Sequence, residues 1–254
     1  MRSLMAFVKK EWQESIASYR LVILVILFSL FGLMNVFVAK YTPEIIANFV
    51  SEEFAKAIPT PTLIDAWIQF FKNIGQVGMI VAVILFSGTL TSEYTKGTLT
   101  LLVTKGLSRW KIVVAKSFIQ TLVFTLAYVS SILLTGIYGW IYFEPMVIPN
   151  LVMAISILWL FMWFLIGLIG LGSVLFRTNY FVLLFVGGIN VILIVLNMIP
   201  KVVKYNPISL GTSSTALIQG TLVVNDLKMT ISVTIGLVIL IKTLTIILFN
   251  KKAL

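Results

Sequence analysis

The chain has 254 residues, 59% of them hydrophobic and 11% charged, with a mean hydropathy of +1.07. A soluble domain carries about a quarter charged residues, and here the apolar residues come in runs of about 20, long enough to cross a bilayer rather than to enlarge a core. The absence of cysteine and histidine excludes disulfides, thiolate metal sites and imidazole chemistry, while a net charge of +10 that gathers on one side of a membrane follows the positive-inside rule and calls for no nucleic-acid partner.

Residues 2–19 open the chain. Leu4, Val8, Trp12, Ile16 and Tyr19 recur at helical spacing, with Lys9, Lys10, Gln13 and Glu14 opposite. That pattern predicts an amphipathic helix lying in the membrane interface. The first span covers about 21–39. A polar segment, 41–72, follows with Pro43, Pro59 and Pro61, and within it Ile45, Phe49 and Phe54 are placed to face the membrane surface or a neighbour. Thr62-Leu63-Ile64-Asp65 is a capping-box variant that opens a helix continuing through the second span, about 74–91. The third span runs over 112–137 and the fourth over 151–171, separated by a loop with Glu144, Pro145 and Pro149. Arg177-Thr178-Asn179 is a tight turn before the fifth span, 180–199. A longer segment, 201–228, holds Pro207, Gly211 and Gly220, and the sixth span is 229–249. The expected fold class is all-α: one polytopic domain over 1–254, with six transmembrane helices and an N-terminal interfacial helix.

Six spans put both termini on one side. Of the 19 basic residues, 12 fall there, including Lys9, Lys10, Lys96, Lys105, Arg109, Lys111, Lys116, Arg177, Lys251 and Lys252. The other side holds Lys40, Lys56, Lys72, Lys201, Lys204 and Lys228, nearly matched by Glu44, Glu52, Glu53, Asp65, Glu144 and Asp226. The basic side is therefore expected in the cytoplasm, with the protein in the cell membrane. All seven prolines fall outside the spans or at their outer ends, so the spans should be continuous helices, unlike the broken helices of many secondary transporters.

Several chemistries are missing. No span contains an acid, no histidine can activate a serine, and no G-x-x-x-x-G-K-[ST] loop exists for nucleotide hydrolysis. The chain is therefore read as non-enzymatic, with no catalytic, cofactor or metal residues of its own. Lys242 stands inside the sixth span, open to two readings: snorkelling or burial among helices, or contact with a substrate in a pathway. Gly167, Gly170, Gly172, Gly187 and Gly188 read first as sites of close helix packing.

A polar interruption, residues 92–111, separates the second and third spans. Glu93 to Val103 has room for about three helical turns, with Gly97 weakening them and Leu99, Leu102 and Val103 forming an apolar strip beside Leu101. A strip so short suits either the membrane surface or a groove on another protein. Because the stretch joins two spans directly, a push on it moves both.

The run Leu85-Phe86-Ser87-Gly88, then Ser92-Glu93, Lys96-Gly97-Thr98, Leu101-Leu102, Ser108-Arg109 and Lys116 resembles the second-span and first-loop signature of ABC-2 type transporter permeases. Gly106-Leu107 departs from it, since the family often has a proline and a small residue before Ser-Arg. The resemblance implies a membrane subunit of an ABC exporter. It pairs with a second permease copy or paralogue and binds ATPase subunits that hold ATP and Mg. The coupling helix would comprise Glu93, Thr95, Lys96, Gly97, Thr98, Leu99, Leu101 and Leu102. The interfacial helix would also touch the ATPase. Spans rich in Phe, Leu, Ile and Val suit an apolar or amphipathic cargo such as a peptide, bacteriocin, drug or lipid. The alternatives are a stand-alone immunity or binding protein using the outer segments, and an ion-coupled carrier using Lys242.

Overall fold

Long apolar runs without an internal backbone partner can enter a bilayer only as helices, and helices account for nearly all the ordered chain. The computed structural model describes residues 2–49 and 60–252. The elements in order are α1 (Arg2–Ala17), α2 (Arg20–Phe49), α3 (Leu63–Asn73), a π-turn (Ile74–Gly78), α4 (Met79–Thr95), α5 (Thr98–Thr104), α6 (Arg109–Tyr142), α7 (Leu151–Leu175), α8 (Asn179–Leu196), α9 (Pro200–Val203), α10 (Ser209–Ile218), a 3-10 turn (Val224–Leu227) and α11 (Lys228–Lys251). Six helical runs are long and apolar enough to span a membrane: Arg20–Ile45, Leu63–Thr95, Arg109–Tyr142, Leu151–Leu175, Asn179–Leu196 and Val224–Lys251.

The capping box at Thr62 is formed, with its backbone N–H and its hydroxyl both donating to Asp65 Oδ2 at 2.8 Å. The helix it opens runs on through the second span as expected, but by way of the π-turn. There the backbone takes up one extra residue, and Asn73 Nδ2 donates to the fully buried Asn35 Oδ1 at 2.7 Å. Wide turns of this kind shift the face that the following residues present.

Three expectations are corrected. The first helix continues beyond residue 39 to Phe49 and carries Pro43 inside it. The missing proline N–H removes one ladder bond, and the helix is held near there from outside, where Phe37 meets Tyr138 and Tyr142 of α6 at ring distances of 6.2 and 5.4 Å. Segment 201–228, which the sequence reading gave no helix, contains α10 and the 3-10 turn. Its α10 packs on α7 with Leu210, Leu217 and Ile218 fully buried, and Ser214 donates to the Ala154 carbonyl at 3.3 Å. The buried face of α1 is centred on Phe7, Glu11 and Ser15, so the stripe read from Leu4 to Tyr19 straddles two faces: Met5, Ile16 and Tyr19 remain exposed. The turn into α2 is made by Tyr19 in the left-handed region, φ 58°. Phe54, Glu52, Glu53, Lys56 and Pro59 lie outside the described residues, as does the Phe49 side chain.

The core is built around α7, whose inner residues from Ala154 to Val174 meet α4, α8, α10 and α11. A second seam joins α2 to α6 along most of their lengths. Near its middle, Gly32 lets the two backbones come so close that Thr135 Oγ1 donates to the Gly32 carbonyl at 3.1 Å.

Candidate functional site

The sequence motif residues converge at one end of the bundle. The start of α6 lies beside the start of α1, with Lys111 Nζ donating to Ser3 Oγ at 2.9 Å. Arg109 reaches the chain's other end, donating through Nη1 to the carbonyls of Phe249 (2.9 Å), Asn250 (3.1 Å) and Lys252. The last carbonyls of a helix have no partner within it, so the Arg109 guanidinium caps α11. Both termini and the α4–α6 connection therefore share one end.

Two glycines shape that connection. Gly97 at φ +67° and Gly106 at φ +84° occupy the left-handed region that other residues adopt at a cost. They bracket α5, a seven-residue helix, and Gly97 splits the stretch 93–103 in two. Glu93 therefore belongs to the last turns of α4, while Thr98 begins a separate helix. Leu99 turns inward and is 1% exposed against Phe7, Leu90, Ile112 and Phe249. Leu101 points the other way at 61% exposure. Thr95, Lys96, Gly97 and Thr100 are also exposed, and Thr98 and Leu102 are half-buried.

Beneath α5 lies a charged cluster that binds three helices. Lys116 of α6 donates to Glu11 Oε1 and Oε2 and to the Thr89 carbonyl at 2.9–3.0 Å, and sits 3.2 Å from Glu93. Lys10 of α1 contacts Glu11 at 3.0 Å and both Glu14 and Glu93 at 2.6 Å. Glu11, Glu93 and Lys116 are each 5% exposed or less. Burial lowers the Lys10 pKa, but the hydrogen bonds to Glu14 and Glu93 and the charges of Glu11 and Glu93 outweigh it and hold it above the usual lysine value. Burial raises the Glu14 carboxyl and the Lys10 bond and the Lys116 charge overcome that, leaving it lowered. The carboxylates of Glu11, Glu14 and Glu93 approach within 4.8 Å of one another, close enough to share a cation, and here the two ammoniums serve. Glu93 Oε2 is buried without a hydrogen-bond partner.

Neighbouring polar contacts extend the cluster into the bundle. Gln120 Nε2 donates to Thr89 Oγ1 at 2.6 Å. Thr91 Oγ1 bonds Asn179 Oδ1 at the start of α8. The motif glycine Gly88 has a steric reason, since a Cβ there would lie 2.8 Å from Asn179 Nδ2. Lys252 is held below the usual lysine value by burial and then by the Arg177 guanidinium, so this end of the molecule carries crowded positive charge.

Of the residues that sequence reasoning singled out, the structure brings Glu93 into the cluster, sets Leu99 under α5, and leaves Thr95, Lys96, Gly97 and Leu101 at the surface. Lys242 makes no ion pair with this group among the described residues and is half-buried in α11, with its ammonium 4.3 Å from the Trp163 ring centroid. Sequence reasoning missed Glu11, which it placed on neither face of the first helix. Its position in register with Leu4, Val8 and Ser15 was the available signal, because an acid on the stripe that a helix buries requires a buried cation.

Six helical runs fit to span a membrane, with a short helix between the second and third, define the class: a polytopic membrane protein. Comparison with known proteins is more specific. The family model described as ABC-2 family transporter protein matches residues 5–252, and the chain belongs to that family. It is also 22% identical over 180 residues, 70% of each chain, to an uncharacterized transmembrane protein, YxlG, of Bacillus subtilis (strain 168). The protein is thus a non-catalytic, multi-pass membrane transport subunit.

Proposed function

We propose that this chain is the membrane half of an ATP-driven exporter, working with a separate ATPase that binds ATP and Mg and with a second permease copy or paralogue. The cargo is an apolar or amphipathic molecule, and the end carrying α1, α5 and Lys252 faces the cytoplasm. The reading is carried by α5: a short helix with Leu99 locked inward and Leu101 left 61% exposed, flanked by exposed Lys96 and Lys105. Leu101 is the apolar contact that this basic loop offers to a partner's groove. A hollow of about 180 Å³ beside it, lined by Tyr94, Thr95, Leu99, Thr100 and Arg177, leaves room for a projecting side chain of that partner. Thr95, Lys96, Gly97, Thr98, Leu101 and Leu102 make the contact. Glu93 and Leu99 pass the displacement inward to α1, α4 and α6, whose alternative packings open the pathway. The ATPase drives that change by binding the two packings with different affinity.

Leu101→Asp tests this reading. Its side chain leaves no core position, so the variant is expected to insert and run as wild type on size exclusion while losing co-purification of the ATPase and ATP-dependent transport. Undiminished co-purification and transport would overturn the docking role. Leu102 is a poorer probe, being packed against the cluster around Leu99.

The second permease belongs on α8. Only 11% of its apolar window is covered within the chain, the least of the six spans, and a Cβ at Gly187 or Gly188 would meet nothing within 4 Å. Bare glycines on a membrane helix allow close approach of another helix. With no native cysteine to confuse the result, Gly188→Cys should form an oxidant-induced dimer in membranes, and Ile239→Cys on exposed α11 should not. Equal cross-linking at both positions would move the seam elsewhere.

A further inference from the structure

A narrow cleft of about 30 Å³, open at its mouth, lies between α4, α6, α7 and α11. Its walls are contributed by residues that include Thr89, Ser117, Gln120, Ser173, Lys242 and Thr245, but the surface they show to the cleft is mostly apolar. Small residues Gly167 and Gly170 form part of the floor, which is what leaves the space. Two ammoniums border it, and they differ. Lys116 is satisfied by Glu11, Glu93 and the Thr89 carbonyl. No carboxylate lies within ion-pair distance of Lys242 among the described residues, and its ammonium is met by the Trp163 face alone. A cation in a low-dielectric setting without a counter-charge is a costly arrangement. Ser117 Oγ, on the same wall, is buried and has no hydrogen-bond partner. A hydroxyl that can donate and an unmatched ammonium thus face one apolar-lined space.

We propose that this cleft is a binding site for an anionic amphiphile. Its phosphate or carboxylate head pairs with Lys242 and accepts a bond from Ser117, and its chain runs out along the apolar mouth into the bilayer. Position fits such a ligand. Lys242 lies ten residues before Lys252, roughly 15 Å at 1.5 Å per residue, and so below the surface of the basic end, where a membrane-dissolved ligand reaches it and a water-soluble anion does not. The Trp163 face holds the ammonium in place before the ligand arrives, which lowers the ordering cost of binding. The inference concerns the chain alone and stands whether or not the ATPase docks on α5.

The full chain, purified in a neutral detergent, is titrated with dibrominated phosphatidylglycerol while quenching of tryptophan emission is followed. Dibrominated phosphatidylcholine gives the baseline from annular lipid. Saturable quenching by the anionic lipid alone is expected, and Lys242→Met should weaken it about tenfold or more, the scale of a lost charge-assisted hydrogen bond. Lys242→Arg should restore it, and Ser117→Ala should weaken it by a smaller factor. Competition by laurate separates the sources. Displacement shows that the site takes single-chain anions and is open to an amphipathic cargo, whereas no displacement assigns it to a leaflet phospholipid. Equal quenching by both brominated lipids, or wild-type affinity in a Lys242→Met protein with an unchanged elution profile, would overturn the proposal.

Discussion

Lys116→Met is expected to lower the thermal midpoint of the purified protein by several degrees and to expose the amides of α1 to hydrogen exchange. The side chains are of similar length, so packing against Phe7 is largely kept and the change isolates the charge. Glu11, 4% exposed, then loses its closest cation, and Glu93, 3% exposed, loses the second of its two. Removing one partner from a buried pair costs about 3–5 kcal/mol, because the remaining charge is left in a poor solvent. Lys10 still reaches Glu11 and Glu93, so the lower end of that range, about 3 kcal/mol, applies. The companion variant Glu11→Gln with Lys116→Met should recover part of the loss, since it takes away a stranded charge along with the cation. A single variant as stable as the wild type would mean that the cluster does not fasten α1 to the bundle.

Gly32→Leu is expected to prevent accumulation of a monodisperse protein, with Gly32→Ala a graded version of the same defect. A Cβ at residue 32 would lie 2.9 Å from the Ser131 carbonyl oxygen and 3.1 Å from the Ser131 Cα. Both are backbone atoms of α6, so no side chain can swing aside, and the helices must separate. Overpacking of this kind costs about 1–3 kcal/mol or more. Separation would also stretch the bond from Thr135 to the Gly32 carbonyl, which sits in a fully buried seam. Gly136→Ala is the control, because a Cβ there meets nothing within 4 Å. Alanine favours a helix by about 1 kcal/mol over glycine, so that variant should keep or raise the midpoint. If Gly32→Ala matched it, the close α2–α6 crossing would not be needed.

Much of the site is visible in the sequence as a list and invisible as an arrangement. Glu93, Gly97, Arg109 and Lys116 all stand in the motif, and their spacing along the chain hides three different jobs: a buried counter-ion, a left-handed break, a cap on α11 and again a counter-ion. Arg109 and the carbonyls it holds are 140 or more residues apart, a separation no periodicity reports. The α10 helix was hidden for a related reason. Its Ser and Thr residues give it no continuous apolar run, and α7 supplies an acceptor for Ser214 that makes burial tolerable.

By itself the sequence determined the class of the protein. Six apolar runs, unable to leave their amides unpaired in lipid, had to become helices, and the capping box at Thr62 marked where the helix leading into the second span begins. The tertiary structure decided which charges are hidden and which faces are free. Burial is a property of what comes to lie opposite a residue, and only folding set Glu11 against Lys116, turned Leu99 in and Leu101 out, and left Lys242 facing a cleft with no acid across from it.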